Sequence, residues 1–294
     1  MTTYIKPFIK WVGGKRQIIP QLIKYIPNEK IETYYEPFAG AGALFFHILP
    51  SKAVINDMNE DLINTYEVIR DDIDDLIYEL KIHESKNTKE YYYSIRKLDR
   101  QPNYNVLSKT VKAARFIYMN KVGFNGLYRV NSKGQFNVPY GRYTNPTICD
   151  EELLRNISQY LNQNDILFSS VDFEKAVKNV SKNDFVYFDP PYDPLNKTSS
   201  FTQYQKEGFS QDEQKRLKKV ADDLVHRGAK VILSNSNTQF INDLYNNKIE
   251  DSKSDVDYYI IELVDAKRSI NSVANKRGRI KEVLIISKDL CYEE

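Results

Sequence analysis

The four residues from Asp189 to Tyr192 carry groups suited to chemistry on an aromatic amine. They follow the apolar run Phe185 to Phe188, which predicts a buried strand. An exocyclic amino group is a poor nucleophile because its lone pair is delocalised into the ring, so a protein must accept its hydrogens. Asp189 and the carbonyl of Pro190 are candidate acceptors, because proline stiffens the backbone and supplies no amide donor. Tyr192 offers a ring for a base to stack on, so the tetrapeptide fits methyl transfer to a base amine.

A structural interpretation of the same tetrapeptide is a carboxylate capping a Pro-Pro turn, since Asp and Pro are common turn residues. A glycine motif upstream favours the chemical interpretation. The segment 33–36 predicts a strand that enters a turn at Gly40 and Gly42, where a backbone can approach a ligand closely. The next predicted strand, 53–57, ends in Asp57, where a nucleotide fold places the carboxylate that binds ribose hydroxyls. A dehydrogenase would normally have a third glycine in place of Phe45.

A third segment lies near the amino terminus, where Lys10, Trp11 and Lys15 surround two glycines. The glycines allow the chain to fold tightly around a ligand, and the ring and the cations offer contacts to it. The alternative is that Trp11 packs in the core or at its rim and that the lysines are solvated.

Together, the three segments resemble the Dam family of DNA adenine-N6 methyltransferases (D12 class), whose cofactor is S-adenosylmethionine. The resemblance covers nearly the whole chain, and the motif order is that of the alpha group: glycine motif, recognition segment, catalytic turn. It also includes residues 124–131, 134–143, 193–195, Ser234-Asn235 and Arg268-Ser269-Ile270.

The resemblance implies roles for particular residues. Asp189, Pro190 and Tyr192 would be catalytic, acting on an adenine flipped out of the duplex. The implied cofactor contacts are Trp11, Lys15, Phe38, Gly40, Gly42, Asp57 and Asp189. The implied DNA contacts are Lys10, Phe124, Asn125, Leu127, Arg129, Pro139 and Tyr143.

Within the recognition segment, Arg129 is the residue best suited to read guanine, because its planar fork matches the O6 and N7 edge. The segment most resembles the branch that methylates adenine in GATC, although Gln135 stands where the family commonly has an acid. The alternative is that Phe124, Leu127 and Pro139 only pack the hairpin that carries them.

Alternating strands and helices predict an α/β fold: a Rossmann-like methyltransferase sheet with an inserted, mainly helical DNA-recognition domain carrying a β-hairpin. We expect residues 1–60 and 161–294 to form the discontinuous catalytic core and residues 61–160 the recognition domain. One long helix is predicted from Asn59 to Leu80 and another from Lys109 to Val122. The hairpin is predicted around a turn at 131–134. Strands are predicted at 166–168, 185–188, 231–233, 258–264 and 283–286, and the resemblance implies that the last two pair antiparallel.

Charge is distributed unevenly, although the net charge of the 294 residues is only +2. No acidic residue occurs from Arg100 to Cys149, whereas the basic residues there are Arg100, Lys109, Lys112, Arg115, Lys121, Arg129, Lys133 and Arg142. Residues 57–90 are acid-rich instead. This asymmetry predicts a phosphate-facing surface and therefore a nucleic-acid partner. The resemblance implies that this partner is double-stranded DNA, with single-stranded DNA as an alternative.

Other classes of protein are disfavoured. Cys149 and Cys291 do not form a disulfide framework, which predicts a reducing cytoplasm. The resemblance implies a bacterial or phage-encoded protein. The three histidines lack metal-ligand spacing, so no metal is expected. No apolar stretch approaches the length of a membrane span. Two alternatives stay open: an RNA or protein-amide methyltransferase of the same fold, and a non-catalytic DNA-binding relative. The sequence leaves the oligomeric state open.

Overall fold

The computed structural model describes residues 4–27, 31–195, 209–250, 253, 256–267 and 279–290. Two of the sequence features named above, Arg268-Ser269-Ile270 and Cys291, lie outside these residues. The chain divides into two compact units. The first is Met1–Gly14, Gly40–Ser51 and Asp57–Ser170, and the second is Lys15–Ala39, Lys52–Asn56 and Val171–Glu294. The functional division expected at residues 60 and 160 stays a prediction.

The second unit contains the mixed sheet. Its strands are β1 (Tyr34–Glu36), β2 (Lys52–Asn56), β4 (Phe185–Phe188), β5 (Lys230–Ser236), β6 (Tyr259–Lys267) and β7 (Arg279–Ser287), in the spatial order β2-β1-β4-β5-β7-β6. Strands β2, β1, β4 and β5 run parallel to one another, whereas β7 runs antiparallel to both β5 and β6. The parallel sheet and the predicted antiparallel pair are thereby confirmed, as is the α/β fold class.

Helices complete the second unit: α1 (Ile19–Leu22), α8 (Phe173–Ala176), α9 (Gln211–His226) and α10 (Gln239–Tyr245). The amide of Glu213 donates to the Ser210 side chain, which caps α9. Apolar residues on one side of α9 pack on the sheet, among them Leu217 and Leu224, which are fully buried with Val186 and Leu233. Because β4 lies between β1 and β5, its four residues are all buried, as a continuous apolar run predicts.

The first unit is mainly helical. It contains α2 (Phe45–Ile48), α3 (Glu60–Asp71), α4 (Ile73–Ser85), α5 (Lys89–Arg96), α6 (Lys109–Val122), α7 (Glu151–Gln163) and the strand β3 (Asp165–Ser169). Helix α6 packs against α3, α4 and α5, and nine of its residues are buried. The prediction of a helix from Lys109 to Val122 is confirmed at both ends.

The single long helix predicted from Asn59 is wrong, because the chain breaks at Asp72, where φ is −133° and ψ is 45°. Asn59 does begin α3, since its side chain accepts from the Leu62 amide at 3.1 Å. The acidic residues Asp74 and Asp75 lie in the first turn of α4, where the helix dipole favours negative charge. The apolar spacing continued across the break and concealed it.

The predicted hairpin is present as a short paired loop. Val130 pairs antiparallel with Phe136, and the Asn131 amide donates to the Gln135 carbonyl at 2.8 Å. Gly134, with φ of +72°, lies in the connecting turn. The pairing is too short to form regular strands, because the two arms bond only near the turn.

Candidate active site

The turn after β4 places a buried ion pair at the carboxyl end of the sheet of the second unit. Asp189 directly follows Phe188, and its side chain is only 19% exposed. The Lys15 ammonium lies 3.0 Å from Asp189 Oδ1 and is 9% exposed. Both sequence-predicted residues are therefore brought together, since ligands bind at this end of a parallel sheet.

Burial raises the pKa of Asp189 to about 6, and this is the largest influence on the carboxyl. Lys15 opposes the effect through its charge and its hydrogen bond, whereas the negative charge of Glu282 adds to it. At neutral pH the carboxyl is therefore ionised and accepts hydrogen bonds, although it is close to the pH at which it would take up a proton.

Tyr192 is held at its edge and on one face. Its hydroxyl donates to Glu282 Oε2 at 3.0 Å, and the Lys15 ammonium lies 4.2 Å from the ring centroid. Burial and the neighbouring carboxylates raise the pKa of Tyr192 well above its usual value, so the phenol stays protonated. Sequence reasoning missed Glu282, although a charged residue inside the apolar strand β7 is a usable signal.

In the first unit, the glycine turn forms a tight backbone cradle. Gly40 and Gly42 have φ of +50° and +65°, a conformation that favours glycine. The Gly40 amide donates to Asp57 Oδ2 at 2.9 Å, and the Tyr66 hydroxyl donates to the Gly40 carbonyl at 3.0 Å. A Cβ at Gly40 would lie 2.5 Å from Trp11 Cδ1. The predicted cofactor residues Trp11, Gly40 and Asp57 therefore meet in this unit.

Asp57 combines burial with backbone hydrogen bonds. Burial raises its pKa, whereas the amides of Asn59 and Gly40 act in the opposite direction by bonding the carboxylate. Both carboxylate oxygens already accept one amide each, which fixes the orientation of the side chain. A fixed carboxylate with remaining lone pairs suits a vicinal diol such as that of ribose.

Phe38 has a different environment from the other predicted cofactor residues. Its ring packs against Phe173 at 5.4 Å, Phe209 at 5.6 Å and Phe188 at 6.3 Å between centroids. It is partly buried against the hydrophobic core of the second unit. The backbone beside it is held by Asn56, whose Nδ2 donates to the Pro37 carbonyl at 3.0 Å.

The residues predicted to contact DNA lie in the first unit, where Asn120 joins two of their segments. Asn120 is 1% exposed. Its Oδ1 accepts from the Lys10 amide at 3.0 Å, and its Nδ2 donates to the carbonyls of Lys10 and Gly126, each at 2.8 Å. Asn120 was not singled out from the sequence, since an amide on a helix carries no local signal of its partners.

A second group of DNA-contact candidates is arranged around the chain after α6. Phe124 is 47% exposed, although it is apolar, and its amide donates to the Pro139 carbonyl at 2.9 Å. Asn125 has φ of +56°. The Lys10 ammonium lies 5.1 Å from the ring centroid of Tyr143. The alternative that these residues only pack the hairpin does not explain why Phe124 is exposed.

The paired loop carries Arg129 and orients it. Its Nε donates to Asn137 Oδ1 at 2.6 Å, while the side chain stays exposed. Leu127 is half-buried beside it in the chain. Gln135, which stands where the family commonly has an acid, accepts at Oε1 from Asn131 Nδ2 at 3.0 Å, so its amide is engaged inside the loop.

Within the described ranges, no three His, Cys, Asp or Glu side chains are grouped as metal ligands would be. Cys149 is a free thiol. None of the helices in the described part of the chain has both the length and the apolar character needed to cross a bilayer.

Comparisons with known proteins give one family model and several similar proteins. A family model described as D12 class N6 adenine-specific DNA methyltransferase matches residues 11–269. The chain is 48% identical to the Type II methyltransferase M1.LlaDCHI of Lactococcus lactis subsp. cremoris, over 96% of this chain and 95% of that protein. It is 45% identical to the Type II methyltransferase M.MjaIII of Methanocaldococcus jannaschii, over 96% and 99%. A DNA adenine methylase of Haemophilus influenzae is 32% identical, over 96% and 93%.

Proposed function

Because this chain belongs to the D12 class of N6 adenine-specific DNA methyltransferases, we propose that it transfers the methyl group of S-adenosylmethionine to N6 of adenine in GATC. The observation that carries the proposal is the turn after β4. It combines an ionised acceptor, Asp189, with a fixed aromatic ring, Tyr192, at the carboxyl end of the sheet.

Two acceptors in the turn after β4 would activate the N6 amine of adenine. Asp189 and the Pro190 carbonyl accept the hydrogens of N6, which localises its lone pair for attack. The same acceptors stabilise the positive charge that develops on the nitrogen as the new bond forms. The surplus proton leaves to solvent, so Asp189 acts as an acceptor and orienting group and need not be a strong base. Tyr192 stacks against the adenine once it has left the duplex.

The residues of the first unit fit the proposed cofactor. S-adenosylmethionine, when bound, supplies a methyl group on a positively charged sulfur. The absence of side chains at Gly40 and Gly42 lets the turn pack closely against Trp11 and Tyr66. Asp57 offers a fixed carboxylate for the ribose hydroxyls, and Trp11 offers an apolar ring next to it. By resemblance, Lys15, Phe38 and Asp189 would complete the contacts.

We further propose that residues 61–160 recognise the target, together with Lys10. Arg129 would read a guanine. Its Nε bonds Asn137 Oδ1 and its Nη2 lies 3.4 Å from the Asn137 carbonyl, and the remaining donors of the guanidinium would bond the O6 and N7 edge. Lys10 would lie near another guanine, and Phe124 would enter the base stack. Asn125 would lie beside the unpaired thymine. Leu127 and Pro139 would contact a thymine face, with Tyr143 nearby. Support comes from the exposed Phe124 ring and from the hydrogen bonds that fix these segments.

The test is incorporation of tritium from labelled S-adenosylmethionine into a duplex that contains one GATC. The matched controls are the same duplex with that site scrambled and an RNA duplex of the same sequence. We expect label only on the GATC duplex and none with Asp189→Ala, which should still fold and retain DNA. Label on RNA, on protein, or on scrambled DNA at the same rate would contradict the proposal.

A second readout works without a chosen substrate. In cells where this protein is the only DNA methyltransferase expressed, genomic DNA should carry N6-methyladenine within GATC. Sequencing that resolves modified bases would detect it. A modified motif other than GATC would overturn the site assignment while leaving the adenine-specific activity intact.

A further inference from the structure

Buried polar side chains near the end of β5 have no part in the chemistry described above. Asn235 and Ser236 are 1% and 4% exposed, and Gln214 on α9 is fully buried. Burying an amide costs free energy unless its donors and acceptors are bonded. The bonding partners of these side chains therefore show what they hold in place.

The amides of Gln214 and Asn235 bond each other and the turn after β4. Asn235 Nδ2 donates to Gln214 Oε1 at 3.0 Å, and Gln214 Nε2 donates to the Pro191 carbonyl at 2.9 Å. Asn235 Oδ1 accepts from the main-chain amides of Asp193 at 3.2 Å and Ser236 at 2.9 Å. Turning either amide over would set oxygen against oxygen or donor against donor, so both orientations are fixed.

Ser236 adds a bond on the far side of the turn, where its hydroxyl donates to the Asp193 carbonyl at 2.6 Å. The main chain is thus held at Pro191 and at Asp193, on either side of Tyr192. The Pro190 carbonyl, by contrast, accepts no hydrogen bond from the part of the chain that the structure describes. The turn is fixed at the residues that do not react, and the proposed acceptor is left available.

We propose that Gln214 and Asn235, together with the Ser236 hydroxyl, form a clamp of positioning residues that aims the acceptors of Asp189 and Pro190 at the target amine. The inference rests on the proposed function. The clamp acts through the main chain and does not touch the base. Such positioning matters because a misplacement of about 1 Å can slow an enzymatic step about 100-fold.

The test compares variants that release the clamp with one that removes a similar bond elsewhere. Gln214→Met keeps the side-chain volume but loses both amide bonds. Ser236→Ala loses the short bond to the Asp193 carbonyl and the longer one, at 3.5 Å, to Asn235 Oδ1. The matched control is Ser287→Ala. Ser287 is fully buried at the carboxyl end of β7, away from the turn after β4, and its hydroxyl accepts from the Val231 amide at 3.0 Å. The measurement is methyl transfer in a single turnover at saturating DNA and cofactor, with separate binding affinities for each.

We expect Gln214→Met to slow single-turnover transfer about 10- to 100-fold, and Ser236→Ala to slow it several-fold. The affinities for DNA and S-adenosylmethionine should stay within about two-fold, and Ser287→Ala should transfer at the wild-type rate. Because Gln214→Met and Ser236→Ala act on the same turn, the double variant should lose less than the two single losses combined. Adding Ser287→Ala to Gln214→Met should leave the rate of Gln214→Met unchanged.

Wild-type transfer rates in both clamp variants would overturn the clamp alone. The same holds for a slowing that Ser287→Ala reproduces or that weaker cofactor binding accounts for. If Gln214→Met fails to fold, Ser236→Ala decides the question. Failure of the proposed function looks different, because the wild-type protein would then label no DNA, and the clamp proposal would fall with it.

Discussion

Asp189 is subject to two opposing requirements. In the proposed role it must be ionised to accept the amine hydrogens, yet its burial raises the pKa to about 6. Lys15, at 3.0 Å, favours the charged form, and Glu282 disfavours it. The carboxylate is therefore charged at neutral pH, although its pKa lies close to neutral. Changing the charges near Asp189 should shift the pH dependence of the reaction.

We expect methyl transfer at saturating substrates to fall as the pH drops through about 6, because protonated Asp189 loses its acceptor capacity. Glu282→Gln removes a negative neighbour while retaining an acceptor for the Tyr192 hydroxyl. It should therefore lower the pKa of Asp189 and move the acidic limb of the rate profile to lower pH. The control is Glu262→Gln, an exposed residue of β6. An unchanged limb in Glu282→Gln would contradict this account.

Arg129 allows charge and geometry to be separated. Arg129→Lys keeps a positive charge but loses the planar fork, so it should retain general DNA affinity and lose discrimination at one base pair. Arg129→Ala should lose that discrimination, about 1–3 kcal/mol, and also some general affinity. The measurement is competition between GATC duplexes that carry single substitutions. Equal sequence preference in wild type and both variants would refute guanine reading by Arg129.

The glycine turn between β1 and α2 needs residues without side chains. A side chain at Gly40 would meet the Trp11 ring, and the positive φ would be strained as well. The paired loop offers a comparison, since Gly134 has φ of +72° but nothing within 4 Å of an added Cβ. The two positions separate backbone strain from steric conflict.

Gly40→Ala should therefore weaken S-adenosylmethionine binding at least about ten-fold, because the strain is joined by displacement of Trp11. Gly134→Ala carries a comparable backbone strain and should leave cofactor affinity unchanged. Calorimetric titration of both variants decides between the two effects. Similar losses in both would show that the ring of Trp11 has no part in the cradle.

The basic residues predicted to face phosphate differ in exposure and in ion pairing. Arg115 is 5% exposed, pairs with Asp99 at 2.9 Å and bonds the Ile95 and Arg96 carbonyls, so it stabilises the helical unit. Lys109 is exposed but pairs with Glu67. Arg129, Lys133 and Arg142 are exposed as well. The predicted surface therefore depends on fewer cations than the sequence contains.

Lys133→Gln should weaken binding about equally for all DNA sequences and reduce the slope of log affinity against log salt by about 1. The matched control is Lys219→Gln on α9, an exposed lysine outside the basic segment, which should change neither quantity. A sequence-dependent loss in Lys133→Gln would instead indicate a base contact.

The sequence alone determined the features that depend on neighbouring residues. The apolar run before Asp189, the helix at 109–122 and the start of a helix near Asn59 follow from local periodicity, and the structure confirms them. The motif at 189–192 and the glycine motif are short enough to recognise without a fold. The chemistry proposed for them rests on residue type and on the strand ends on which they lie.

Tertiary structure decided which distant side chains support those motifs. Glu282 reaches Tyr192 across 90 residues of chain, and Asn235 reaches Asp193 across 42. Asn120 reaches Lys10 across 110. The break at Asp72 and the burial of Arg115 were hidden for the same reason. Burial and hydrogen bonding depend on contacts that form only when the chain packs, and neither residue type nor spacing encodes those contacts locally.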